Sequence, residues 1–182
     1  LGRLFPAAAA ARIVAAGGTV RLGARVEAVT QVPAGYHLAG VANDAARCIL
    51  AVHPARLPAL VADLPALAGT ARAVAGYTWQ PILTLWLRFA EAVRLPFPML
   101  GLGPGQAPWV FDRHDVAPGL LSVVFSAEGP HIGLTRADLT ERCLDLLRTR
   151  LGPLPALCAS TVITEKRVTF ACLPGQYRPG HR

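Results

Sequence analysis

The chain has 182 residues, 53% of them hydrophobic and only 16% charged, so it carries enough apolar surface to offset the entropy of ordering and is not a disordered polypeptide. The formal charge of +7 comes from arginines scattered singly along the chain, with Lys166 the sole lysine. No arginine and aromatic interleaving of the kind that stacks a nucleic-acid strand is present, so nucleic acid is not expected as a partner; a peripheral contact with an acidic membrane surface suits the scatter better. No apolar run reaches the roughly 18 residues needed to span a bilayer, and no signal peptide is visible, so a cytoplasmic protein, at most peripheral to the inner membrane, is expected.

In chain order, Phe5 to Gly18 predicts a helix that starts at Pro6, runs through Ala7 to Ala11 and stops at the Gly17-Gly18 pair. Short Val-rich runs, Thr19 to Leu22, Ala24 to Val29 and Tyr36 to Val41, predict strands, and the nearly continuous apolar run Arg47 to Val52 predicts a buried one. Pro54 ends that run and opens a helical stretch through Leu60 and Val61, and Pro65 opens another. From Pro81 the period becomes two: Ile82, Thr84, Trp86 and Arg88 alternate with Leu83, Leu85, Leu87 and Phe89, as in a strand with two mainly apolar faces. Trp109 to Phe111 and Leu120 to Phe125 extend the sheet. Thr135 followed by Asp138 marks a helix start, with Leu139, Cys143, Leu146, Leu147 and Leu151 as its buried stripe. Ala159 to Thr164 and Val168 to Ala171 close the chain as strands. The pattern as a whole is of the mixed α/β class, with a largely antiparallel sheet flanked by helices.

The four cysteines, Cys48, Cys143, Cys158 and Cys172, are widely spaced among apolar neighbours, which argues for buried free thiols and against zinc or any other metal site. Gly101-Leu-Gly103-Pro-Gly105-Gln106 lacks the third glycine of a dinucleotide fingerprint and is followed by Pro108 and a strand, so it reads as a turn beside an apolar cavity. Asp112, Arg113, His114 and Asp115 form the densest polar cluster, which on composition alone is a solvated turn between strands. Glu165 and Arg167 alternate with Lys166 on what reads as an ion-paired surface strand, and a lone His53 at a strand end reads as structural. The apolar positions Trp86, Phe89, Leu95, Phe97, Met99, Leu100, Trp109 and Phe111 suit either a core or the lining of a tunnel.

Two stretches, Pro96 to Arg113 (PFPMLGLGPGQAPWVFDR) and Val162 to Gly175 (VITEKRVTFACLPG), make the chain resemble the squalene-associated FAD-dependent desaturases, or hydroxysqualene dehydroxylases, of the flavin-containing amine oxidase and phytoene desaturase superfamily. The resemblance implies part of an FAD-binding domain over residues 1–75, a substrate domain over 76–172, and a return segment towards the FAD domain over 173–182. It implies FAD as cofactor, with the backbone of Val26 at the adenine end and Ala51 and Pro54 near the ribose and pyrophosphate; His53 stands where the family usually has proline. It implies an isoprenoid substrate lined by Trp86, Phe97, Met99, Leu100, Trp109 and Phe111, and reductive loss of an allylic hydroxyl from hydroxysqualene to give squalene, for which Asp112 or His114 is the expected acid. A carotenoid desaturase, an amine oxidase or a non-catalytic isoprenoid-binding module are the alternatives. The family's glycine-loop unit and its later Gly-Asp segment have no counterpart in these 182 residues, so an internal portion, weak in FAD binding and inactive by itself, is expected; oligomeric state is left open.

Overall fold

A computed structural model describes residues 4–41, 43–105 and 107–180. They divide into two compact units, one of residues 4–76 with 177–180 and the other of Tyr77–Gln176. Helices and antiparallel sheets are both present, which is the mixed class expected.

In the first unit, α1 (Pro6–Ala15) has proline in its first turn and ends with Gly17 at φ 82, where the Gly18 amide donates to the Ile13 carbonyl at 2.9 Å and that of Gly17 to Val14 at 3.0 Å. This left-handed glycine closes the orphan carbonyls of the last turn. The strands β1 (Ala28–Val32), β2 (Gly35–Ala39) and β3 (Asn43–Ala45) form an antiparallel sheet in the order β1-β2-β3. Val29 on this sheet packs with Leu60, Val61 and Leu64, contributed by α2 (Leu57–Leu60) and the turn after it, while Val26, Leu38 and Leu50 lie against the cluster. Two short 3₁₀ turns, Pro54–Arg56 and Pro65–Leu67, precede α2 and α3 (Ala68–Ala75), each with proline at its start where the missing N–H costs nothing.

Three sequence expectations change here. Thr19 to Leu22 forms no strand, and Leu22 is 92% exposed. The strand expected over Ala24 to Val29 begins only at Ala28. Arg47 to Val52 is irregular rather than a buried strand: Cys48 and Leu50 turn toward the core, but Ile49 is 94% exposed. The alternation is that of a strand, yet no neighbouring strand among the described residues offers the hydrogen-bond ladder that would make it one.

The second unit is a five-stranded antiparallel sheet of β4 (Trp79–Phe89), β5 (Met99–Gly101), β6 (Trp109–Asp112), β7 (Leu120–Ser126) and β8 (Leu157–Phe170), in the order β5-β6-β7-β4-β8. Helix α4 (Arg136–Leu151) opens as expected: the Asp138 amide donates to Thr135 Oγ1 at 3.2 Å, and that hydroxyl donates to the Asp138 carboxylate at 2.7 Å. Leu139, Cys143 and Leu147 are buried against Leu83, Leu85, Leu87, Val110, Leu121 and Val123, whereas Leu146 and Leu151 are only partly covered. Full burial of each such aliphatic side chain contributes about 1.5 to 3 kcal/mol, which pins α4 to one face of the sheet. The two closing strands expected from the sequence are one long β8. Opposite Gln80 to Ile82, β8 runs from Thr169 to Glu165, so extra residues bulge out at Lys166 to Val168, and the expected alternation of Glu165, Lys166 and Arg167 breaks there; all three are exposed. Cys143 is buried and Cys48 half-buried, but Cys158 and Cys172 are exposed, contrary to the expectation of four buried thiols.

Candidate functional site

Antiparallel pairing fixes which side chains share a face. Met99 pairs with Phe111, Phe111 with Ser122, Ser122 with Trp86 and Trp86 with Thr161, so these five form one row across the sheet. The next row runs Gly101, Trp109, Val124, Thr84, Ile163. Both rows lie on the face opposite α4, because the intervening partners Leu85, Leu87, Val110, Leu121 and Val123 are the ones in the core. The only helix of this unit among the described residues is α4, so no helix of the unit covers the second face. Met99 (45%), Trp109 (47%) and Ile163 (49%) are about half exposed on it, an apolar patch of the kind that marks a binding surface.

The structure therefore brings Trp86, Met99, Trp109 and Phe111 together on one face. Leu100 is not with them: it pairs with Val110 and packs against the α4 core. Phe97 stands in the loop before β5 and is 65% exposed. The glycine-rich turn after β5 is held by the Leu102 amide donating to the Pro108 carbonyl at 3.0 Å, and Pro104, Ala107 and Pro108 line a cavity of about 310 Å³; Gln106 lies outside the described residues.

Asp112 follows Phe111 but faces the other way, paired with the core residue Leu121. Its Oδ1 accepts the His114 amide at 2.9 Å and lies 3.0 Å from His114 Nδ1, while the His114 ring remains about half exposed. Burial works against ionisation of Asp112, but the His114 hydrogen bonds, together with the charges of His114 and Arg94, outweigh it and hold the carboxyl below its ordinary value. Asp112 is thus an ionised acceptor that orients His114.

The sequence names Arg113 in its densest polar cluster and Arg88 in the β4 alternation but assigns neither a role. Arg113 Nε donates to Ser122 Oγ at 3.0 Å, and its guanidinium lies 5.1 Å from the Phe111 ring centroid. Arg88 pairs with Leu120 on the same face. The signal was available: each arginine stands two residues beyond an aromatic of the open face, Arg113 after Phe111 and Arg88 after Trp86, and a period of two puts such pairs on one side.

In the first unit, Arg25, Val26, Glu27, Val52, Ala55, Arg56, Ala59 and Leu60 line a cavity of about 450 Å³. Ala51 and Pro54 are exposed and do not themselves line it. His53 caps the Pro54–Arg56 turn, its Nδ1 accepting the Ala55 amide at 3.2 Å.

Residues 3–176 match the family of flavin containing amine oxidoreductases. The chain belongs to this family. Among curated proteins, none matches it. As a member of the flavin-containing amine oxidoreductase family, the protein is a flavin-dependent oxidoreductase by descent. In its chemistry the first unit's cavity sets Arg25 and Arg56 beside an apolar wall of Val26, Val52 and Leu60, with Glu27 also in the lining; the two arginines outnumber the one carboxylate and suit the phosphate of a flavin nucleotide, and the wall suits its flat rings.

Proposed function

We propose that this chain forms the adenine-facing wall and the substrate wall of an FAD-dependent oxidoreductase acting on a squalene-type isoprenoid, and that the reaction is reductive removal of the hydroxyl of hydroxysqualene to give squalene. The observation that carries the reading is the open sheet face, on which Trp86, Met99, Trp109, Phe111, Val124 and Ile163, interspersed with Thr84, Ser122 and Thr161, offer a largely apolar surface suited to a long hydrocarbon. Each methylene removed from water there contributes about 0.8 kcal/mol. The resemblance of Pro96 to Arg113 and Val162 to Gly175 to the squalene-associated branch supports the same substrate class.

In this reading the first unit's residues 1–75 belong to the FAD domain, with Val26 at the adenine end and Ala51 and Pro54 near the ribose and pyrophosphate; residues 76–172 form the substrate domain, and 173–182 the return segment. When bound, FAD supplies the hydride chemistry. The chain's own residues hold the hydrocarbon, exclude water and place a proton. The allylic C–O bond breaks, the oxygen departs as water after protonation, and the carbon gains a hydride equivalent. His114, oriented by Asp112, is the proposed proton donor through Nε2, because its Nδ1 is engaged by the carboxylate. Cytoplasmic location with a peripheral membrane contact belongs to the same proposal, since the substrate is lipid-soluble.

The direction of electron flow tests this. Under anaerobic conditions hydroxysqualene should reoxidise the reduced flavoprotein. Bleaching of the oxidised flavin by phytoene or by an amine, with no response to hydroxysqualene, would instead place the chain with the desaturases or the amine oxidases. The amine oxidase reading is the second to consider because the family's description names amines.

A further inference from the structure

The open face of the second unit is not uniformly apolar. Two of its cationic residues, Arg113 and Arg88, stand together at one end. The Arg113 amide donates to the Leu120 carbonyl at 3.0 Å, and Leu120 pairs with Arg88, so the two arginines flank Leu120 in a single row next to the Trp86 and Phe111 row. Across two strand spacings their backbones stand roughly 9 to 10 Å apart, within reach of one polar group. Six residues along β4, roughly 20 Å away, Ile82 pairs with Glu165 at the opposite end. Between the two ends lies the apolar strip.

Arg113 is also held in place. Ser122 is 1% exposed, and a buried hydroxyl needs a partner; it takes Nε of Arg113. The Arg113 guanidinium also lies over the Phe111 ring, a cation–π contact that further restrains it. This leaves both Nη groups as donors, and among the described residues no carboxylate forms an ion pair with Arg113 or Arg88. A surface arginine that only solvated the sheet would need neither the buried serine nor the ring.

We propose that Arg113, assisted by Arg88, is the specificity-determining anchor for the oxygen of the ligand: the chain of the ligand lies on the aromatic face, and its oxygen substituent takes the guanidinium hydrogen bonds. This rests on the reading of the open face as the substrate wall and adds that the substrate presents an oxygen acceptor where that face meets the two arginines. Bare hydrocarbon is accepted weakly, which favours release of a deoxygenated product.

The test uses three fifteen-carbon probes, farnesene, farnesol and farnesoate, with affinity read from quenching of tryptophan fluorescence. The native chain is expected to bind an oxygenated probe at least about tenfold more tightly than farnesene, the scale of one good hydrogen bond from a charged donor. Arg113→Gln should bring all three probes within about threefold of each other. Arg88→Gln, at an exposed position where folding is not at risk, should weaken farnesoate by at least about threefold. Farnesoate far above farnesol would identify an anionic end, and parity between them a hydroxyl; either supports the anchor. Equal binding of all three by the native chain, or an unchanged preference in both variants, overturns the anchor but leaves the apolar wall standing. Absence of quenching by any probe overturns both.

Discussion

Phe111 and Asp112 are consecutive residues of β6 that serve opposite faces of one sheet, Phe111 paired with Ser122 on the open side and Asp112 paired with Leu121 on the side of α4. That parity keeps the Asp112 side chain off the aromatic surface, so Asp112 can be altered without touching the wall. Asp112→Asn should cost about 1 kcal/mol through the weakened bonds to the His114 amide and ring, read as a lower midpoint in urea, with tryptophan quenching by isoprenoid unchanged. Because the folded carboxyl titrates below its ordinary value of 3.8, its contribution is complete above that value and is lost as the pH falls through the folded one. The Asn variant should lack this acid-side loss.

His131 should set a second, separate pH window. Its ring is 7% exposed, tilted against Phe125 with centroids 4.7 Å apart, and its Nε2 is buried without a hydrogen-bond partner. Burial lowers its pKa below 6.5, Arg142 adds to that, and the Ala127 carbonyl opposes both. The unfolded chain therefore takes up a proton that the fold resists, and stability should fall as the pH drops below 6.5 toward the folded value. His131→Phe should flatten the stability profile below that pH, measured by denaturation at stepped pH.

Gly119 is a backbone position closed to substitution. Leu120 donates to the Ala117 carbonyl at 3.2 Å, closing a turn with Pro118 and Gly119 at its centre, and Gly119 sits at φ 71. A β-carbon there would stand 2.6 Å from the Glu91 carbonyl and 2.7 Å from that of Phe89. Gly119→Ala should lower stability by about 2 to 3 kcal/mol and loosen the end of the β4 and β7 ladder, seen as faster amide exchange at Phe89.

Thiol reactivity should follow burial. Cys143 faces the core and burial pushes its thiol up to about 12, despite the charge of Arg142. Ellman's reagent should label the exposed Cys158 and should reach Cys143 only after denaturation. Rapid labelling of Cys143 in the native chain would contradict the packing of α4 on the sheet.

The second unit was largely legible because its signals are local. Period two over Ile82 to Phe89 gave both faces of β4, and Thr135 with Asp138 gave the start of α4. The first unit was less so. Arg47 to Val52 has a strand's composition, but composition cannot supply a pairing partner, and Ile49 ended up in solvent. β5 was missed because three residues, Met99–Gly101, make no periodicity to detect. At the site, the aromatics were visible as residue types, whereas the locked state of Arg113 depends on Ser122 in a neighbouring strand, a register relationship that no stretch of β6 contains.

Product analysis tests the central claim most directly. The flavin-loaded enzyme, supplied with a reductant and hydroxysqualene, should yield squalene by gas chromatography and mass spectrometry, and Trp86→Ala with Trp109→Ala should reduce kcat/KM by at least about tenfold through lost apolar contact. Squalene absent from a flavin-loaded preparation that turns over an amine or phytoene, or turnover indifferent to both tryptophans, would contradict the assignment of the open sheet face as the isoprenoid wall.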